Sequence, residues 1–213
     1  MSRVEQKREE GSAFTPQLVV EAYRGGYFPM AQSRIGQIAW YSPDPRAVIP
    51  LESFRVPRSL RQFMKKTEYQ IRFDSSFPQV IHLCAQRPGG EETWISDEII
   101  DVYTTLNSMG TAHSIETWIQ DRLVGGLYGI AIGGGFFGES MFSLSPNASK
   151  LALVHLVGHL RRRGFSLLDT QIINNHVRQF GAVEIPRSEY LSRLRRALAL
   201  PVSFAGSLPT IFP

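Results

Sequence analysis

Two carboxylates stand where apolar residues would be expected. Glu139 falls inside Phe136-Phe137-Gly138-Glu139-Ser140-Met141-Phe142, and Asp169 follows Leu167 and Leu168. Both runs read as strands. An ionised carboxylate is costly to bury unless a cation or hydrogen-bond donors meet it. Each acid therefore calls for a partner: an internal arginine, with Arg46 a candidate for Glu139, or a cationic ligand. Gln171 lies two residues beyond Asp169, a spacing that places both side chains on one face of a strand.

Other constellations carry less. Gly133-Gly134-Gly135-Phe136-Phe137-Gly138 satisfies the dinucleotide spacing G-x-G-x-x-G, but that motif needs a helix after it. Here a strand follows, so a hairpin turn is the simpler reading. His155 and His159 are one helical turn apart, yet Leu156 stands where a zinc protease needs glutamate, and too few further ligands exist for a metal site. Gly138-Glu139-Ser140 is half of a nucleophile elbow, with Phe142 in place of the second glycine. Cys84, the one cysteine, reads as a small core residue. Basic residues gather at Arg55, Arg58, Arg61, Lys65 and Lys66, and again at Arg161, Arg162 and Arg163. Each group is either a solvated face or a phosphate contact.

The elements that must hold these residues follow from periodicity and punctuation. Thr15, Pro16 and Gly25 or Gly26 bracket a short helix. Residues 38–50 read as two extended pieces around a Ser-Pro-Asp-Pro turn. A basic helix over 57–67 precedes an alternating strand, and a helix with serine as its cap ends at Arg87-Pro88-Gly89-Gly90. From Ser96 the expected order is helix, three antiparallel strands, helix, strand, short helix, strand, helix, which is an α+β layout with a mixed sheet. Residues 1–12 are expected to be disordered, 13–65 to form a small N-terminal α+β domain, and 66–213 the larger domain.

The 213 residues, 43% hydrophobic and 20% charged, suit a soluble globular chain with a substantial core. A formal charge of +4 permits an anionic partner such as RNA without requiring one. No apolar run is long enough to span a membrane, and the polar N-terminus has no signal-peptide core, so a cytoplasmic protein is expected.

Several of these segments, in order, resemble the bacterial leucyl/phenylalanyl-tRNA–protein transferase family: Trp40-Tyr41-Ser42-Pro43-Asp44-Pro45-Arg46, Ala112-His113-Ser114-Ile115-Glu116, the Glu139 and Asp169 strands, and Asn174-Asn175-His176. The resemblance implies transfer of leucine or phenylalanine, and less well methionine, from aminoacyl-tRNA to the α-amine of proteins beginning with arginine or lysine, which marks them for degradation. It implies an acyltransferase fold like that of the acetyltransferases (GNAT-like), a monomer, and no cofactor or metal, because the donor ester is already activated. It assigns Asp169 and Gln171 to the reacting amine and Glu139 to the acceptor. It assigns Trp94 to the terminal adenine and Leu127, Leu156 and Leu160 to the amino-acid pocket. Arg58, Arg61, Lys65 and Lys66 would contact the acceptor stem. Met30 stands where the family commonly has tryptophan, and Gln62 interrupts the basic helix. Two other readings fit the same residues: an RNA-binding module without catalysis, and an acetyl-CoA-dependent acyltransferase. Transfer from labelled aminoacyl-tRNA without CoA separates all three.

Overall fold

The structure is a computed structural model that describes residues 3–7, 13–86 and 93–205. A seven-stranded mixed sheet runs β10(Val183–Ile185)-β4(Arg46–Val48)-β9(Leu167–Gln171)-β8(Gly135–Ser143)-β7(Arg122–Ile132)-β6(Ala112–Ile119)-β5(Gln70–Phe73). All neighbours are antiparallel except β8 and β9, which are parallel. A parallel pair needs a crossover, and α5(Ala148–Arg163) supplies it. The Gly133-Gly134 turn between β7 and β8 is a hairpin, with Gly133 at φ 53°.

Side chains alternate to two faces and build two cores. Tyr128, Ile130 and Phe137 face α1(Pro16–Arg24), α3(Phe77–Ala85), α4(Asp97–Ser108) and α7(Arg187–Leu198). Ile115, Leu127, Phe136 and Leu168 face α5, α2(Arg58–Lys66) and α6(Asn175–Arg178). Helix ends follow local chemistry. The Thr15 hydroxyl accepts from Leu18 N at 3.2 Å, the Ser96 hydroxyl from Ile99 N at 3.3 Å, and Gly164 ends α5 at φ 78°. At α3 the expected serine cap is replaced. The Ser76 side chain does not cap; its backbone N donates instead to buried Glu116 Oε1 at 2.7 Å. Glu116 also accepts from Ser114 Oγ (2.8 Å) and Trp118 Nε1 (3.0 Å), so a strand carboxylate supplies the cap. The Arg87–Gly90 segment expected to end α3 lies outside the described residues.

A smaller sheet, β1(Arg3–Lys7)-β3(Ile38–Asp44)-β2(Phe28–Ala31), is antiparallel throughout. The disorder expected for residues 1–12 is corrected over 3–7: pairing backbone groups along an open edge needs no apolar side chains. The remainder of that segment lies outside the described residues. β3 leads through a cis Asp44-Pro45 bond into β4. β4 hydrogen-bonds between β9 and β10, so residues before 65 complete the large sheet.

Candidate active site

The parallel pair opens the sheet. β8 and β9 are in register only from Gly135 with Leu167 to Phe137 with Asp169, while β8 runs on to Ser143 and the chain leaves β9 for α6. A cavity of about 460 Å³ lies in the gap. In open sheets ligands collect at the carboxyl ends of parallel strands, where neighbours diverge. One side of this cavity is polar, with Glu139, Ser140 and Gln171 near Phe28, Met30 and Trp94; the other is apolar, with Leu127, Leu153, Leu156 and Leu168. The first turn of α5 forms part of the rim because Gly125 on β7 lets it close in: a Cβ there would stand 2.4 Å from Ala148 Cβ.

Glu139 is the extra residue of a β-bulge. Tyr128 pairs with Ser140 and Gly129 with Gly138, leaving Glu139 with no cross-strand partner. Its carboxyl accepts from the Tyr23 hydroxyl at 2.5 Å, from Gln171 Nε2 at 2.8 Å and from the Tyr103 hydroxyl at 3.3 Å. The Tyr23 and Tyr103 hydroxyls are 2.8 Å apart. No cation pairs with Glu139 among the described residues. Burial pushes its carboxyl up to about 7; Asp169 adds to this, and the bonds from Tyr23, Gln171 and Tyr103 oppose it. Glu139 therefore exchanges its proton near neutral pH.

Asp169 has the opposite surroundings. It is wholly buried and does not line the cavity. Oδ1 accepts from Arg46 Nε at 3.0 Å and from Gln171 N at 2.8 Å. Oδ2 accepts from an Arg46 guanidinium nitrogen at 2.7 Å and from the Tyr190 hydroxyl at 2.8 Å. Arg46 is itself buried between the rings of Phe28 and Tyr190, 4.7 and 4.6 Å from their centroids. Burial alone would lower the proton affinity of this guanidinium, but Asp169 reverses the effect and holds the cation charged. The arginine considered for Glu139 thus belongs to Asp169, and four donor contacts occupy the oxygens expected to meet an amine. Asp169 instead holds the backbone N–H of Gln171, whose φ of 63° is left-handed. Gln171 gives its amide N–H to Glu139, leaving its carbonyl oxygen for the cavity.

Two family models cover the chain: leucyl/phenylalanyl-tRNA protein transferase over residues 48–195, and the N-terminal domain of that transferase over 12–44. Curated leucyl/phenylalanyl-tRNA–protein transferases are similar at full length. That of Chlorobaculum tepidum is 51% identical over 87% of this chain and 96% of its own. That of Gloeobacter violaceus is 50% identical over 89% and 97%, and that of Rhodospirillum rubrum 48% over 93% and 94%. The chain belongs to the leucyl/phenylalanyl-tRNA–protein transferase family. Among solved structures, a functionally unknown conserved protein from Staphylococcus epidermidis is 12% identical with a TM-score of 0.42, covering 87% of this chain and 69% of its own, too slight a likeness to build on. Membership decides among the three readings: the protein is an aminoacyltransferase that moves an aminoacyl group from tRNA to protein.

The transferase residues singled out by sequence are not all in one place. Trp94, Leu127, Leu156, Glu139 and Gln171 line the cavity. Trp94 is held beside Met30 by a bond from Ala31 N to Trp94 O of 3.1 Å. Leu160 is corrected: four residues beyond Leu156, about 6 Å further along α5, it is wholly buried in the core and off the cavity wall. Arg58, Arg61, Lys65 and Lys66 are all exposed on or at the start of α2. Arg61 and Gln179 share a shallow depression, and Gln179 lies just past cavity-lining His176 and Val177. Of the triple arginine, Arg161 and Arg163 donate to backbone carbonyls of Leu51 and Ser203, both at 2.7 Å, while Arg162 is exposed. His155 Nε2 meets the Tyr69 hydroxyl at 3.1 Å and His159 Nε2 meets Phe204 O at 2.9 Å. Sequence reading missed Tyr23, Tyr103 and Tyr190. Tyrosines on apolar helix faces, each needing a buried partner for its hydroxyl, were the available signal.

Proposed function

We propose that the gap between β8 and β9 is where the aminoacyl ester and the acceptor amine meet, and that the acceptor is a protein whose N-terminal residue is arginine or lysine. The observation that carries this is Glu139: a cavity-wall carboxylate held by three neutral donors and, among the described residues, by no cation. An α-ammonium with a neighbouring basic side chain supplies the missing charge, and pairing offsets the carboxylate's desolvation. A neutral acceptor would leave it unpaired. The apolar wall suits a leucyl, phenylalanyl or, less well, methionyl side chain. Such a slot separates amino acids by only about 1–3 kcal/mol per methylene. Trp94 offers its ring to the terminal adenine, with Met30 beside it in the place of the family's commoner tryptophan. The α2 cations take acceptor-stem phosphates.

The α-ammonium first gives one proton to solvent; the neutral amine then attacks the ester carbonyl carbon, an amide bond forms, the ester bond to the ribose oxygen breaks, and a second proton of the amine ends on that oxygen. No covalent enzyme intermediate is required. The Gln171 carbonyl oxygen orients the amine, Glu139 holds its positive end, and Asp169 acts through Gln171 by fixing its backbone. Positioning of this kind can lower the barrier by about 7–11 kcal/mol. No cofactor is called for, since the ester is already activated. The GNAT-like acyltransferase assignment is supported by the divergence of the parallel pair beside the α5 N-terminus. Modification would mark the acceptor for N-degron degradation in the cytoplasm. The test is transfer of labelled leucine or phenylalanine from tRNA, without CoA, to peptides that begin with Arg, Lys or Ala. Equal transfer to all three would contradict the acceptor assignment.

A further inference from the structure

Helix α5 is held to the sheet by opposite means at its two ends. At its first turn nothing separates the layers: Gly125 offers no side chain, and Ala148 O accepts from the Thr117 hydroxyl of β6 at 2.9 Å. Towards its last turn a ring fills the space. Phe204, beyond the end of α7, is buried and packs against both layers. Its ring centroid is 4.5 Å from that of His159 on α5, 4.1 Å from that of His113 on β6 and 5.4 Å from that of Phe136 on β8. The segment that carries the ring is fastened to α5 as well. Ser203 O accepts from Arg163 Nε at 2.7 Å, Phe204 O from His159 Nε2 at 2.9 Å, and Ala205 O from an Arg163 guanidinium nitrogen at 2.6 Å. These bonds fix where the ring enters.

The apolar slot lies between these two ends. Leu153 and Leu156 of α5 line it together with Leu127 and Leu168 of the sheet, so the separation of the layers is the width of the slot. Leu156 is about 12 Å and His159 about 16 Å along α5 from Ala148. With Ala148 as the pivot, a shift of about 1 Å at His159 moves Leu156 by about 0.7 Å on the same geometry. A core side chain that is shortened leaves space into which its surroundings settle part of the way. Loss of ring volume at 204 therefore lowers α5 towards the sheet and narrows the slot; added volume raises it. If the slot receives the aminoacyl side chain, as proposed above and on which this inference rests, the larger phenylalanyl group feels the change more than the leucyl group.

We propose that Phe204 is a positioning residue for the donor: by propping α5 off the sheet it sets the width of the aminoacyl slot, and with it the preference between leucyl and phenylalanyl groups. The test uses the full chain with leucyl-tRNA and phenylalanyl-tRNA as donors and an N-terminal Arg peptide. It reads the ratio of kcat/KM for the phenylalanyl donor to that for the leucyl donor. Phe204→Leu shortens the prop and should lower the ratio by roughly 10-fold, the low end for taking the room of one methylene from a hydrophobic slot. Phe204→Trp should raise it. Leu156→Val widens the slot directly; it should raise the ratio on its own and restore it in the Phe204→Leu background. Ile81→Ala truncates the core on the other face of the sheet and controls for lost stability, so its ratio should match that of wild type. A ratio unchanged by both Phe204 variants, equal losses on both donors, or the same shift in Ile81→Ala overturns the assignment. If Leu156→Val also leaves the ratio unchanged, the slot reading above fails; if it shifts the ratio and the Phe204 variants do not, only this inference is removed.

Discussion

Glu139 and Asp169 lie on neighbouring strands, and the protein treats them in opposite ways. Asp169 has an internal guanidinium, a tyrosine hydroxyl and a backbone N–H, and no access to the cavity. Glu139 has two tyrosines and an amide, opens on the cavity, and has no cation among the described residues. The charge of Asp169 is matched inside the fold by Arg46; on the reading proposed above, the charge of Glu139 is matched by a ligand.

The contrast is sharpest in stability. Arg46→Met or Asp169→Asn leaves a buried charge without its partner and should destabilise folding by about 3–5 kcal/mol, read by chemical denaturation. Glu139→Gln should do no such harm. The next effect is catalytic. Glu139→Gln should lower kcat/KM for N-terminal Arg and Lys peptides by roughly 30- to 5,000-fold, the range for removing one side of a buried charge pair, with donor binding intact. Equal loss of donor binding would break the distinction.

A third test uses pH. With a folded value of about 7 against an ordinary 4.5, Glu139 keeps its proton longer in the native state than in the unfolded one. Stability should therefore fall as pH rises from about 4.5 to 7, and Glu139→Gln should flatten that slope. Over the window around 7, acceptor kcat/KM should rise with pH as the carboxylate forms, and the variant should lose that limb. The smallest effects belong to α2. Alanine at Arg58, Arg61, Lys65 or Lys66 should each weaken tRNA binding modestly and reduce the salt dependence by about one counterion, leaving a minimal 3′-aminoacyl-adenosine donor unaffected.

Much of the fold was legible because its signals are local. Thr15, Ser96 and Gly164 mark helix ends by their own chemistry, and the short links between 112 and 143 announce antiparallel strands. The site was legible in its residue types but less so in its pairings. Nothing local says that Arg46 reaches across 123 positions to Asp169 rather than to Glu139. The bulge that leaves Glu139 unpaired depends on the register of β7 against β8, which residue patterns do not set. Leu160 shares a helical face with Leu156, and helical spacing cannot tell a cavity wall from the core one turn deeper. The Ser76 hydroxyl donates to Gln79 Oε1 and its backbone N–H to Glu116, and the second of these pairings comes from a strand 40 positions away that no local pattern announces.

The most direct measurement of the central claim is the ratio of kcat/KM for an N-terminal Arg peptide to that for its Ala counterpart, at saturating donor, in wild-type protein and in Glu139→Gln. If the unmatched carboxylate is the receptor for the acceptor's charge, wild-type protein strongly prefers Arg and the variant's ratio collapses toward one. An Arg preference that survives the substitution would place the receptor elsewhere and contradict the account.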